Sequence, residues 1–368
     1  MKVLLITSMA GVGGTERATQ QLANILVERG HEIHLLATDG PLIPEIEKAG
    51  AVIHKTETHG KTLFSVIKLF SDIFRLLRDN RFDCIHLQMA RPVPLVVMAK
   101  CFTRRRSKII WHARGLNAWT YKYIAHLFEA LDVRCIANCR SEQEKLIRYG
   151  YQPNHIGYIY NLCALEDVEL PRSALRERLN IPADAYVIGS LSRLAKDRGV
   201  DYAIDYFQVL SSAWTDRRPV YLLIGGDGPE RERLEQIAQS GAGSEHIIFL
   251  GVVFNVAEFY AAIDVFWNTL IITGDNGAGT GNTTIESAFC RVPIVTHDVA
   301  GIGELIEDGV TGALVRIGDK EKFIACTCSL LFDTGYQDVI INNALSRVRT
   351  MCGKVNYIKR IEGYYRDL

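Results

Sequence analysis

The stretch MKVLLITSMAGVGGTERATQQLANILVERGHEIHLLAT, Met1 to Thr38, decides the fold. It opens with a continuous apolar run, VLLITS, which reads as a strand buried on both faces. A glycine-rich turn, MAGVGGTE, follows. Leu22, Ile25 and Leu26 then recur at helical spacing until the stop at Gly30, and EIHLLAT is the next strand. Strand, helix and strand in so short a span make a βαβ unit, and such units build parallel sheets.

The alternation continues outward. AVIHKTE reads as a strand, LFSVIKLFSDIFRLLRDN as a helix and CIHLQMA as a strand, and KIIWHAR, CIANC and IGYIYN complete a first sheet. A seam lies at about 162–186, where LCALEDVELPRSALRERLNIPADAY carries two prolines, many charges and no strand run. The pattern then restarts with VIGSLSRL, VYLLIGGDGPE, IIFLGVV, DVFWNT, VPIVTHD and GALVRIG as strands and helical segments between them. The reading is α/β, with two doubly wound Rossmann-like domains. A first domain is expected over 1–165 and a second over 166–345. A last helix within 346–368 is expected to pack back on the first domain. Ligands of open α/β sheets sit outside the carboxyl ends of the strands, so a cleft between two such domains is the expected active site.

Bulk properties narrow the class. The 368 residues allow about two to three domains, and 48% hydrophobic residues exclude a disordered chain. Net charge is zero but uneven. Met1 to Tyr160 holds 22 Lys+Arg against 14 Asp+Glu, a balance of +8 that the remainder offsets. A basic half suits phosphate, an anionic acceptor or an acidic membrane surface, or is simply a solvated face. Nine cysteines include no Cys-x-x-Cys pair and no metal or disulfide framework, which favours a reducing compartment. No signal h-region follows Met1-Lys2, and no apolar run nears the ~20 residues that span a bilayer. The expectation is a cytoplasmic protein, attached at most to the inner face of the membrane.

Three loops carry candidate chemistry. GVGGTER, with Gly13 and Gly14, lies between strand and helix and is either an anion site or a tight turn. Its spacing is neither that of a dinucleotide fingerprint nor that of a Walker A loop. SRLAKDRGVD puts Arg193, Lys196 and Arg198 at the end of the second domain's first strand, where arginine suits phosphate. GDNGAGTGNTTIESAFC runs into a helix near Asn282 or Thr283, either of which can cap it while free N–H groups take phosphate oxygens. Gly281 permits close approach, and Glu286 lies one turn deeper on the same side, placed for ribose hydroxyls. Its apolar neighbours, TTI and SAFC, argue against a solvated surface acid. His86, Gln88 and His112 close strands of the first domain, where a lone histidine is more often structural than catalytic. No metal constellation is visible, and neither a metal nor another cofactor is expected.

Taken in order, these segments resemble the family 4 retaining glycosyltransferases of GT-B architecture, over nearly the whole chain. GGTERATQQLANILVERGHEIHLLAT, SLSRLAKDRGVDYAI, IGGDGPERERLE and IESAFCRVPIVTHDVAGIGELIEDGVTGALV carry the likeness. It implies transfer of a sugar from a UDP- or GDP-sugar, held by the second domain, to a glycan or glycolipid acceptor on the side of the first, in surface polysaccharide or lipopolysaccharide synthesis, with no nucleic-acid partner. Arg193 and Arg198 would grip the donor pyrophosphate, with Arg198 where the family usually has lysine. Glu286 would bind the ribose, Gly251 would touch the base, and Gly13 and Gly14 would approach donor phosphate or acceptor. His112 would contact the donor sugar. One departure stands out: eight positions before Glu286, where the family carries its first glutamate, this chain has Ala278. Asp275, Asn276, Gly279 and Thr280, with Asn282 and Thr283, are the candidates to reach the sugar instead. Ala278 keeps two rivals open, a sugar-nucleotide-binding protein without transferase activity and an epimerase or hydrolase of the donor.

Overall fold

The computed structural model describes residues 1–115, 118–163, 165, 173–271 and 280–366. These fall into two compact units, Met1–Leu162 with the last helix, and Cys163 to Ile271 with Thr280–Gly353.

The first unit runs β1 (Lys2–Ser8), α1 (Gly14–Glu28), β2 (Glu32–Thr38), α2 (Ile43–Lys48), β3 (Val52–Lys55), α3 (Leu63–Asp79), β4 (Cys84–Leu87), α4 (Val93–Thr103), β5 (Lys108–Ala113), α5 (Ala118–Ala130), β6 (Arg134–Ala137), α6 (Arg140–Arg148) and β7 (Ile156–Tyr158). Its seven strands are parallel in the order β3-β2-β1-β4-β5-β6-β7. From Val3 to Ser8 every residue of β1 is buried, because helices cover both faces of the sheet. One core joins Leu4, Ile6, Trp111 and Phe128 on one face, and another joins Val3, Leu5, Leu22 and Leu26 on the opposite face.

The second unit runs α7 (Ser173–Arg178), β8 (Tyr186–Leu191), α8 (Val200–Ser212), β9 (Val220–Gly225), α9 (Arg231–Gln239), β10 (Ile247–Gly251), α10 (Val256–Ala262), β11 (Val265–Asn268), α11 (Asn282–Phe289), β12 (Ile294–His297), β13 (Ala313–Val315), α12 (Lys320–Phe332) and α13 (Thr334–Cys352). Its six strands are parallel in the order β10-β9-β8-β11-β12-β13. The unit extends past 345 because α13 is one continuous helix whose Val348 and Cys352 are buried. The last helix, α14 (Lys354–Arg366), belongs to the first unit and buries Tyr357, Ile361 and Tyr365 there. Tyr365 places its hydroxyl 2.7 Å from His86 Nδ1, and Tyr364 donates to the Cys135 carbonyl at 2.6 Å.

Both sheets reverse strand order at one place, between β1 and β4 and between β8 and β11. Loops leaving adjacent strands in opposite directions open a crevice at such a point, which is where ligands of open α/β sheets bind.

Candidate functional site

In the second unit β8 delivers Ser192 to Gly199 to the switch point. Leu194 N–H donates to the Asp227 carbonyl at 3.0 Å, and Ser192 N–H to that of Gly225 at 3.0 Å, so the loop lies on the one that follows β9. Ile271 N–H donates to the Asp197 carbonyl at 3.2 Å, tying it also to the chain leaving β11. Gly199 makes this fit possible: its φ is +62°, and a Cβ would stand 2.0 Å from the Thr269 carbonyl oxygen. On this scaffold Arg193 is exposed. Arg198 closes a short 3₁₀ turn, with Nε 3.3 Å from the carboxylate of its own neighbour Asp197.

Across the switch point α11 begins at Asn282, after Gly281 at φ +68°. The side-chain cap expected from Asn282 or Thr283 is not made, because both already lie inside the helix and the cap position is a glycine. In contrast, Thr62, Asn255, Asp319 and Asp333 cap α3, α10, α12 and α13. No acid occupies the first turn of α11, so the positive end of the helix dipole meets no negative side chain of its own turn. Thr280 is buried just ahead of it, with Oγ1 unpartnered among the described residues.

Glu286 is buried one turn in. The Tyr260 hydroxyl lies 3.2 Å from its Oε2 and 3.0 Å from the Thr283 carbonyl oxygen. Burial, reinforced by Glu286, raises Tyr260 well above the usual phenol range, so it stays protonated and donates. The same two causes push the Cys290 thiol up to about 12. Asn268, the last residue of β11, donates to Thr284 Oγ1 at 3.3 Å and fixes strand end to helix. Gly251 ends β10 at φ +68°, and its carbonyl accepts from Gly226 N–H at 2.7 Å.

In the first unit Gly13 and Gly14 stand at the start of α1, beside the switch point. That helix start is already faced by its own acid, since a Cβ on Gly13 would lie 2.9 Å from Glu16 Oε2. A cavity of about 600 Å³ opens here, lined by Glu16, Gln88, Arg91, His112 and Arg114 and, on its apolar side, by Trp111 and Phe128. His112 lies near the end of β5, buried, with both ring nitrogens unpartnered among the described residues. It stacks on His86 at 5.4 Å between centroids. Burial, Arg114 and then His86 hold His112 well below the usual histidine range, so it is neutral at pH 7.

The fold therefore gathers the candidates into two groups, each within one unit. Arg193, Arg198, Thr280, Gly281, Asn282, Thr283 and Glu286 surround the switch point of the second sheet, with Gly251 two strands away at its edge. Gly13, Gly14 and His112 lie at the first. Asp275, Asn276, Gly279 and Ala278 fall outside the described residues. Sequence reasoning missed Tyr260, a helix residue with no local mark, and Arg114, whose position just past β5 was the available signal.

Residues 12–166 match the family described as Glycosyltransferase Family 4, and residues 185–333 match Glycosyl transferases group 1. The lipopolysaccharide core biosynthesis glycosyltransferase LpsE of Rhizobium meliloti (strain 1021) is 32% identical over 315 residues, 84% of this chain and 83% of that protein. The N-acetyl-alpha-D-glucosaminyl L-malate synthase of Bacillus anthracis is 26% identical over 99% of this chain and 96% of its own length. The structure of Anabaena Alr3699/HepE in complex with UDP and glucose superimposes with a TM-score of 0.85 at 20% identity, covering all of both chains. Two parallel α/β units and matches to the family over both of them lead to one conclusion: the chain belongs to the family 4 glycosyltransferases, of GT-B type.

Proposed function

We propose that this glycosyltransferase is a retaining enzyme that moves a sugar from a UDP- or GDP-sugar to a glycan or glycolipid acceptor, in surface polysaccharide or lipopolysaccharide synthesis. The observation that carries the reading is the start of α11. A glycine-capped helix end with no acid in its first turn, a buried carboxylate one turn deeper and a basic loop tied to the same switch point match a sugar nucleotide. The helix end and the two arginines would hold the diphosphate, and Glu286 the ribose. The name of the Rhizobium meliloti relative, a lipopolysaccharide core biosynthesis glycosyltransferase, supports the acceptor class, whereas that of the Bacillus anthracis relative points to malate.

In this reading the acceptor oxygen bonds to the anomeric carbon on the face from which the diphosphate leaves. The bond from that carbon to the phosphate oxygen breaks, and the acceptor proton passes to the leaving phosphate. Charge grows on the diphosphate as that bond breaks, so fixed donors aimed at it lower the barrier. Arg193, Arg198 and the α11 N-terminus are those donors. No metal or other cofactor is needed, because cationic side chains take the role a divalent ion would have. His112, neutral, offers one donor and one acceptor to a sugar hydroxyl.

The test is a thermal-shift screen of nucleotide sugars, followed by turnover of the labelled donor that stabilises most, with and without acceptor and chelator. A bound donor raises the melting temperature by mass action. Transfer is expected to require acceptor and to survive chelator. Release of sugar without acceptor would favour a hydrolase, and loss to chelator with rescue by magnesium or manganese would overturn metal independence.

A further inference from the structure

Arg114 is a guanidinium with no carboxylate in direct contact among the described residues, although Glu16 is near enough to favour its charged form. It follows β5 and lines the first unit's cavity. Its Nε donates to Gln88 Oε1 at 2.9 Å, its Nη1 to Asn161 Oδ1 at 2.9 Å, and its Nη2 also to Gln88 Oε1. Both partners are neutral amide oxygens, and Arg114 makes no ion pair among the described residues. Three of its five N–H donors are thus used, to hold the fork in place. Gln88 is itself buried, with Nε2 unpartnered among the described residues. Burial lowers Arg114 to about 10, which leaves it charged at neutral pH. A half-buried cation whose direct partners are all neutral dipoles still has unmet charge, and an anion joining it is favourable.

The rest of the cavity points the same way. Arg91 also lines it, and its guanidinium donates to the backbone carbonyls of His59, at 2.7 Å, and Gly60. Among the described residues Glu16 is the one carboxylate on the wall, against two guanidiniums. Leu127, exposed on the same lining, offers an apolar surface to the C–H face of a sugar ring, backed by the buried rings of Trp111 and Phe128.

We propose that this cavity takes a hydroxylated ligand bearing a carboxylate or phosphate, and that Arg114 binds that anionic group. The inference rests on the transferase reading above and adds to it that the first unit receives the acceptor, which would then be an acidic or phosphorylated sugar. A planar guanidinium prefers such groups because it meets two oxygens at once.

The test measures binding of three probes to the full chain by calorimetry: methyl glucoside, methyl glucosiduronate and glucose 6-phosphate. At least one charged probe is expected to bind tenfold or more tightly than the neutral one, and the better of the two tells carboxylate from phosphate. Arg114→Gln is expected to abolish that preference, and Arg114→Lys to retain part of it, while UDP or GDP affinity stays unchanged in both. Equal binding of all probes to the unaltered chain, or no binding of either charged probe at millimolar concentration, overturns the proposal without any variant having to fold. A tenfold loss of UDP or GDP affinity in Arg114→Gln also overturns it, by assigning the guanidinium to the donor. Failure of the donor assays with the probe preference intact would instead remove the transferase reading and leave the anion site standing.

Discussion

In the proposed donor site Arg193 and Glu286 act from opposite surroundings, the first exposed and the second buried beneath the Tyr260 hydroxyl. Their losses should therefore differ. Arg193→Ala should lower turnover about a hundredfold or more, roughly 2–4 kcal/mol, because the diphosphate charge it meets grows in the transition state. Glu286→Gln should mainly weaken donor binding, by about 1–3 kcal/mol, since ribose hydroxyls do not change during reaction. Steady-state kinetics with direct donor titration separates the two, and intact affinity with lost turnover in Glu286→Gln would move that residue to the sugar. Titration gives a second test. Burial first, then Arg114, pulls His86 down to about 3, and His112 is held well below its ordinary value. Below about pH 6.5 the unfolded chain takes these protons and the folded chain does not. Stability should fall by about 1.4 kcal/mol per pH unit for each such histidine. Urea unfolding at pH 7.5 and 5.5 should show a smaller drop in His112→Asn than in the unaltered chain, and equal drops would show that His112 is protonated when folded.

At the scale of elements, two glycines beside the proposed donor half-site act by different physics. Gly281 needs its positive φ, but a Cβ there would meet nothing nearer than Thr284 Oγ1 at 3.5 Å. Gly281→Ala should cost about 1–3 kcal/mol, the strain alone of a backbone, φ +68° and ψ 124°, that side chains other than glycine rarely adopt. Gly199→Ala should cost more, because its Cβ would overlap the Thr269 carbonyl and push apart the loops after β8 and β11. Calorimetric melting should rank Gly199→Ala below Gly281→Ala, with donor binding impaired because the loop carrying Arg193 and Arg198 moves. Equal melting temperatures would mean that the contact relaxes freely.

Across the whole molecule, α14 returns the chain end to the unit in which it began. Tyr357, Ile361 and Tyr365 are buried there, and burying such side chains is worth about 1.5–3 kcal/mol each, comparable to a domain's net stability. Deleting 354–368 should unfold the first unit and spare the second, seen as loss of one calorimetric transition and as protease cuts confined to 1–162. No helix among the described residues is long and apolar enough to cross a membrane. The first unit does carry an exposed basic edge of Arg81, Arg104, Arg106 and Arg366, while Arg105 is engaged by the Leu77 and Arg78 carbonyls. Weak binding to acidic liposomes that fades with salt is expected from this edge, since charges are screened over about 10 Å at 0.1 M. Flotation that finds no binding at low salt would exclude it.

Sequence by itself determined the two parallel sheets, their seam and the loops that leave their strand ends. Buried strands, turns and amphipathic helices are set by neighbours in the chain, and the period of apolar residues records them. Glu286 was legible for the same reason, through the apolar residues on both sides of it. Tertiary structure alone decided the partnerships. Tyr260 reaches Glu286 across 26 positions, Arg114 reaches Asn161 across 47, and Tyr365 reaches His86 across 279. Such contacts follow from strand order and helix return, which bring together side chains that carry no mark of one another in the sequence. The charge state of His112 is of the same kind, because burial by distant elements sets it rather than any residue beside it.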